Sequence, residues 1–400
     1  MTSCHPYMVV EVVIFRCGGV IFSLDIKFFL FFHRKKGFLN ISSNNIISGL
    51  LSDKKNEGII MDKLTVRERI WQTEDAVLAP YATHARDTRG RAREEKLCDF
   101  RTVFQRDRDR IIYSNSFKRL KNKTQVFFAP EGDHYITRMT HTLDVSQISR
   151  SIARALHLNE DLAEAIALGH DLGHTPFGHV GEKVLNKLSS AGFMHNEQSL
   201  RVVDVLEKGG RGLNLTFEVR DGILEHKSSG KPQTLEGQIV SIADRIAYIN
   251  HDIEDAIRAG ILKNEDLPAY PIQVLGVGTK QRIHTAIADI YENSYGKPVI
   301  AMSKAVETSI QELRAFMFER VYNLTNRVIL ERAERMLTEL FTYFMQHTDK
   351  LPAPYAALLD EWGTERAVCD YVSGMTDQYA ITVFENVFIP TTFSLQGALE

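Results

Sequence analysis

Apolar residues recur at spacings of three and four along residues 138–157, where His141, Val145, Ile148, Ile152 and Ala155 fall on one face. That period predicts an amphipathic helix. Asn159 then stands where an N-cap belongs. Leu162, Ala163, Ile166 and Ala167 predict the buried side of a second helix, which runs into His170 and is ended by Gly173. Residues 235–258 spread Ile239, Ile242, Ala243, Ile246, Ile249 and Ile253 over much of the circumference, the pattern of an interior helix. Leu267–Gly278 holds two prolines and two glycines and predicts a loop, and helical patterning resumes from 300 to 347. From Met61 onward there is no internal repeat, no low-complexity tract and no sustained strand-like alternation. The expected fold class is all-α.

Residues 1–60 break this pattern, with aromatic runs such as Phe28-Phe29-Leu30-Phe31-Phe32 followed by His33-Arg34-Lys35-Lys36. Glu11, Arg16, Asp25 and Lys27 interrupt every window. No uncharged stretch reaches the roughly 18–20 residues of a spanning helix, and a signal-peptide layout is lacking. The expected organisation is an atypical extension over 1–60, upstream sequence read through before a start at Met61. A helical domain over 61–400 then carries all of the chemistry, without a membrane partner.

The chain has 400 residues, 44% hydrophobic and 25% charged, which gives ample material for a core. A net charge of −3 offers no global argument for nucleic-acid or membrane binding. Cys4, Cys17, Cys98 and Cys369 form no CxxC pair, which fits a thiol-reduced, cytoplasmic setting. Locally the balance shifts, because residues 86–123 carry thirteen Lys or Arg against six Asp or Glu, centred on Arg106-Asp-Arg-Asp-Arg110. Such a run is either a solvated face of alternating charge or a wall of guanidinium forks for phosphate. If it is a wall, Arg106 and Arg110 share a helix face and point at the site together, with Arg108 opposite.

The chemistry-bearing residues sit on the buried stripes. His141 lies on the inward face of its helix, and His170 repeats the anomaly beside Asp171. A buried carboxylate needs a partner. Along the interior helix, Ser241, Asp244, Tyr248 and Asp252 form a polar stripe. One cation shared by His141, His170, Asp171 and Asp244 compensates these groups together. Such a nitrogen and oxygen set suits Mn, Mg, Fe, Co, Ni or Zn without choosing among them.

Three of these segments, Arg138-Met139-Thr140-His141, His170-Asp171 and Ala243-Asp244-Arg245-Ile246-Ala247-Tyr248, resemble the H…HD…D signature of HD-domain metal-dependent phosphohydrolases. The sequences HDLGHTPFGHVGE, Met194-His195-Asn196-Glu197-Gln198-Ser199, ADRIAYINHDIEDA and Ser373-Gly374-Met375-Thr376-Asp377 are more narrowly similar to the deoxyguanosine triphosphate triphosphohydrolase family. The resemblance runs from Trp71 to Ala380 and includes Lys123-Thr124-Gln125-Val126. It implies an HD-domain helical fold with extra C-terminal helices. It also implies one-step hydrolysis of dGTP or another deoxynucleoside triphosphate to deoxynucleoside and inorganic triphosphate.

By the same resemblance, His179 donates a proton to the departing 5′-oxygen, with Glu182 orienting its ring. His195 contacts the phosphates. His174 either lines the pocket or caps the turn. Arg138, Gln125, Arg245, Tyr248 and Asp252 hold phosphate and sugar. The resemblance further implies a homo-oligomer, with a second dNTP as effector and single-stranded DNA as a partner in some relatives. Two other readings compete. One is an HD phosphohydrolase of nucleoside monophosphates or cyclic nucleotides. The other is a non-catalytic nucleotide or single-stranded DNA sensor, against which His179 and Glu182 argue, because a binder has no use for a proton donor.

Overall fold

The computed structural model describes residues 8–17, 20–30, 64–125, 135–322 and 327–390. The chain divides into two units, Met1–Lys63 and Leu64–Glu400. In the first, Met8–Cys17 and Val20–Leu30 pair as an antiparallel hairpin, with Met8 opposite Leu30 and an irregularity between Ile14 and Arg16. Runs of Val, Ile and Phe favour such strands, although the sequence reading assigned this segment no element. The rest of the expected extension, including the proposed start at Met61, lies outside the described residues.

The second unit is helical. Among its described residues, β pairing is confined to two isolated bridges, Arg91 with Thr216 and Thr124 with Thr137. The expected helices form, each started by its own cap. Thr137 and Thr140 make a capping box at the head of Arg138–Ala155. The Asn159 side chain accepts from the Leu162 amide to start Glu160–Gly169, and Thr234 accepts from Gly237 to start Leu235–Arg258. His141, Val145, Ile148 and Ile152 are buried, as are Leu162, Ala163, Ile166 and Ala167.

Two expectations are corrected. The stretch read as a loop contains the helix Ala269–Leu275, because Pro268 is its N-cap and Pro271 falls in its first turn. Proline costs nothing there, since those amides have no intrahelical acceptor. The helix before His170 ends at Gly169, before the expected stop. Gly173 serves another purpose. A Cβ on it would lie 2.1 Å from the Ser199 amide nitrogen and 2.5 Å from the His195 carbonyl oxygen. The turn after His170 therefore packs directly on the backbone of the helix His195–Arg201.

Two apolar cores support the site. The larger joins Arg138–Ala155, Glu160–Gly169 and Leu235–Arg258 through Val145, Ile152, Ile166, Ile246 and Ile253. The smaller packs Phe177, Val184 and Leu185 against Leu337, Leu340, Phe341, Val368 and Val372. Phe177 lies in the turn before the helix His179–Leu188, which carries Val184 and Leu185, and the others come from Arg327–Gln346 and Thr364–Ser373 nearer the C-terminus. Buried side chains bridge the two. Lys123 Nζ donates to the carbonyl oxygens of His174 and Ser373. Asp377 accepts from the Thr124 amide and from the Phe177 amide, both at 3.0 Å. The loop from His174 to Phe177 is thus held from the C-terminal side.

Among the described residues, no helix is long and apolar enough to cross a membrane.

Candidate active site

His141 projects from Arg138–Ala155, His170 and Asp171 from the end of Glu160–Gly169, and Asp244 from the middle of Leu235–Arg258. Three helices thus bring their polar exceptions to one point. His141 Nε2 lies 3.0 Å from Asp244 Oδ1, and His170 Nε2 lies 3.8 Å from the same oxygen. His170 Nε2 is also 3.3 Å from Asp171 Oδ1. Ligand-type atoms of His141, His170 and Asp171 all fall within 4.8 Å of one another. His141, His170 and Asp171 are buried.

Proton positions follow from the outer partners. His170 Nδ1 donates to the Ala167 carbonyl at 2.6 Å, which leaves Nε2 as the ring nitrogen turned toward the carboxylates. That atom is buried and has no hydrogen-bond partner. His174 Nδ1, 3.1 Å from Asp171 Oδ1, is likewise without a hydrogen bond. Burial lowers the affinity of His141 for an extra proton, and burial followed by the Arg138 charge does so strongly for His174. Imidazole nitrogens gathered beside two carboxylates make a donor set that suits a divalent cation. The donor set therefore fits a metal ion.

A second cluster adjoins the first. Glu182 receives the His195 amide at 3.0 Å and His195 Nδ1 at 2.9 Å, so it caps that helix and fixes that ring. His179 Nδ1 lies 3.5 Å from the other Glu182 oxygen, and the His179 side chain is 64% exposed. Burial would raise the Glu182 carboxyl, but the hydrogen bonds from His179 and His195 hold it well below the usual range. The sequence reading gave Glu182 to His179 alone; the structure shares it between two histidines.

His179 begins its helix directly after Gly178, whose φ of +55° a side chain rarely adopts. A Cβ there would sit 3.0 Å from Arg138 Nη2, so the glycine also admits the buried guanidinium. Arg138 in turn donates from Nη1 to Asp171 Oδ2 at 2.9 Å.

The remaining expected residues fall in two places. Tyr248 and Asp252 continue the Asp244 stripe, and the Tyr322 hydroxyl donates to Asp252. Burial pushes the Asp252 carboxyl up to about 8; the Tyr322 hydrogen bond opposes this and the Asp255 charge adds to it. Gln125 is buried with its Oε1 unpartnered, and Arg245 keeps an unpartnered Nε. Arg106 and Arg110 do share a face, but they converge on Glu95. Arg106 also donates to the Lys96 carbonyl at 3.0 Å, and Arg110 to those of Leu213 and Asn214 at 2.8 Å. Arg108 pairs with Glu164 at 3.1 Å.

Sequence reasoning missed three side chains of the site. His226 donates from Nδ1 to the Ile223 carbonyl at 2.7 Å and faces His195 Nε2 at 3.2 Å. Burial, then the His170 and His195 charges, pushes the His226 imidazolium down to about 3. Tyr322 reaches Asp252 from a distant segment. His251 touches His141, with their Nδ1 atoms 3.3 Å apart. Only His251 had a local signal, since it lies two helical turns beyond Asp244 on the same face.

An HD domain model matches residues 138–249, and a phosphohydrolase-associated domain model matches residues 300–386. A deoxyguanosinetriphosphate triphosphohydrolase-like protein of Caldanaerobacter subterraneus is 56% identical over 338 residues, covering 84% of this chain and 100% of the relative. The chain belongs to that family. Its like-named relative in Clostridium tetani is 46% identical over 344 residues, covering 82% of this chain and 98% of that protein. In Geobacter metallireducens the figures are 40% over 371 residues, with 79% and 96% covered. Membership in the triphosphohydrolase-like family makes the chain an HD-domain phosphohydrolase. Its matched HD region spans every candidate metal ligand, and its associated region supplies Tyr322, Ser373 and Asp377.

Proposed function

We propose that the chain is a metal-dependent deoxynucleoside triphosphate triphosphohydrolase, releasing deoxynucleoside and inorganic triphosphate. The observation that carries this reading is the unpartnered Nε2 of His170, aimed at the two carboxylates and the Nε2 of His141 beside the His179–Glu182 pair. When bound, the cation supplies Lewis acidity to the α-phosphate and to the attacking water.

The chain's own residues do the rest. Exposed at the head of its helix, His179 protonates the leaving 5′-oxygen, and Glu182 holds its ring. Such an acid contributes about 10²–10⁴-fold. His195 and Arg138 bind phosphate oxygens, while Gln125, His174 and Arg245 line the pocket. Asp252, whose carboxyl burial pushes up to about 8, sits with Tyr248 and Tyr322, where it meets the sugar 3′-hydroxyl. The reading carries with it a cytoplasmic homo-oligomer, with a second dNTP as effector and single-stranded DNA as a further partner.

One observation favours a second reading. Because Arg106 and Arg110 are tied to Glu95, they do not supply the extra positive charge that a triphosphate tail requires. A phosphohydrolase of nucleoside monophosphates has no such requirement. Incubation with each dNTP, singly and in pairs, over several divalent metals separates the two. Inorganic triphosphate among the products supports the first reading. Orthophosphate from a monophosphate, with every dNTP left intact, removes it.

A further inference from the structure

Away from the candidate active site, the described residues form a second polar concavity. It is an open pocket of about 290 Å³ lined by Arg93, Glu95, Arg110, Lys208, Arg211 and the segment 212–214. No candidate metal ligand lines it, nor does His179 or Glu182. Pockets for small ligands begin at about 300 Å³ and are mostly apolar. This one instead carries four cationic side chains against a single carboxylate.

Its floor is fixed. Arg110 donates to the Leu213 and Asn214 carbonyls at 2.8 Å and pairs with Glu95. The Asn214 side chain accepts from the Arg93 amide at 3.0 Å and donates to the Arg93 carbonyl at 2.8 Å. Arg93 Nη2 donates to the Arg211 carbonyl at 2.7 Å. At the root of the loop, buried Glu207 accepts from the Ser116 amide at 2.8 Å. Glu95 is already shared between Arg106 and Arg110, so its charge does not neutralise the rim.

The rim is the opposite case. Lys208 Nζ has no partner among the described residues, and Arg211 uses only its Nε, in a 3.4 Å bond to the Lys208 carbonyl. Lys208 also has a φ of +55°, a left-handed conformation that favours glycine. Strain of this kind in a non-glycine residue gathers at ligand clamps. A Cβ on the following Gly209 or Gly210 would meet no atom within 4 Å, so the space over the loop is open.

We infer that this pocket binds the phosphate chain of a small molecule, with Lys208 and Arg211 as the groups that hold it. A guanidinium fork matches phosphate oxygens, and an ammonium adds a compact charge. A single carboxylate carries too little charge to match this lining, and an apolar or cationic ligand finds nothing to meet. Free oligophosphate and nucleotides both carry such a chain. The inference stands apart from the metal reading, because the pocket uses none of its residues.

The test is calorimetric titration of the full chain with inorganic triphosphate, and separately with a non-hydrolysable dGTP analogue. Because the candidate active site also suits such a chain, the readout is the binding event that pocket substitutions remove. Lys208→Ala combined with Arg211→Ala is expected to weaken that event at least about tenfold. High salt is expected to weaken it in the parent as well. Arg211→Lys, which keeps the charge, should fall between. Lys208→Gly suits the left-handed backbone, so it should keep the parental denaturation midpoint while losing affinity. A response to the analogue assigns the source to a nucleotide, and a response to triphosphate alone assigns it to a free oligophosphate.

Parental binding of both probes in the double variant overturns the inference. So does a loss confined to a single-stranded oligonucleotide, which would make the loop a nucleic-acid contact.

Discussion

The arginine run 106–110 and the histidine–carboxylate cluster around Asp171 both concentrate polar groups, and they differ in what is left unpaired. In the run every charge finds a protein partner. Arg106 and Arg110 share Glu95, Arg108 takes Glu164, and the fully buried Asp107 accepts from Arg91 and from the Thr216 amide and hydroxyl. Around Asp171, by contrast, His170 Nε2 and His174 Nδ1 are buried with no hydrogen bond. Native interiors leave few polar atoms in that state. Density of charge therefore located a brace, and incompleteness of pairing located a site.

The sharpest way to break this contrast is to remove a ligand. Asp244→Ala is expected to lose bound metal and at least about 10³-fold in activity, since a metal supplies several kcal/mol, with helix content by circular dichroism unchanged. Metal at parental stoichiometry in that variant would undo the assignment. Next in size, His179→Ala should lower kcat about 10²–10⁴-fold while metal content and KM stay near parental values. An accompanying loss of metal would make His179 a ligand and not an acid.

The brace should respond in the opposite way. Asp107→Ala leaves Arg91 buried without its carboxylate and should cost about 3–5 kcal/mol in chemical denaturation. The kcat/KM of the folded fraction should be retained. A stable variant with impaired turnover would move the arginine run into the site.

How much of this was legible follows from distance along the chain. Asn159 announced its helix because a cap and its first turn are local. His141, His170–Asp171 and Asp244 were legible because each is a polar exception on an apolar stripe. The fate of Arg110 was not, since its partners Glu95 and the 213–214 carbonyls are contributed by other segments. His226 and Tyr322 were hidden for the same reason. The helix Ala269–Leu275 was missed because prolines were counted as breakers without regard to their place in the first turn.

A separate effect concerns pH. Burial raises the Asp252 carboxyl to about 8, so between about 4 and 8 the folded chain holds a proton that the unfolded chain releases. Its contribution is present below the unfolded value and is lost as pH rises through that window, at up to about 1.4 kcal/mol per pH unit. Asp252→Asn should flatten the fall in melting temperature from pH 5 to 8. An unchanged slope would mean that Asp252 is ionised in the fold. The smallest expected change is for Arg106→Gln and Arg110→Gln, each worth about 1 kcal/mol or less as a surface ion pair. KM is expected to stay within about twofold of the parent, because neither removes a ground-state contact to substrate. A several-fold rise in KM that shrinks at high salt would restore the phosphate-wall reading.

The fastening of the His174–Phe177 loop by Ser373 and Asp377 has a consequence in time. A ribosome delivers the chain from its N-terminus, and early segments begin to fold before later ones exist. All four candidate ligands have been synthesised once Asp244 is made, yet the anchors of the turn that presents His179 follow only after the whole Arg327–Gln346 helix. The growing chain therefore contains all four candidate ligands before the turn that carries His179 is fastened.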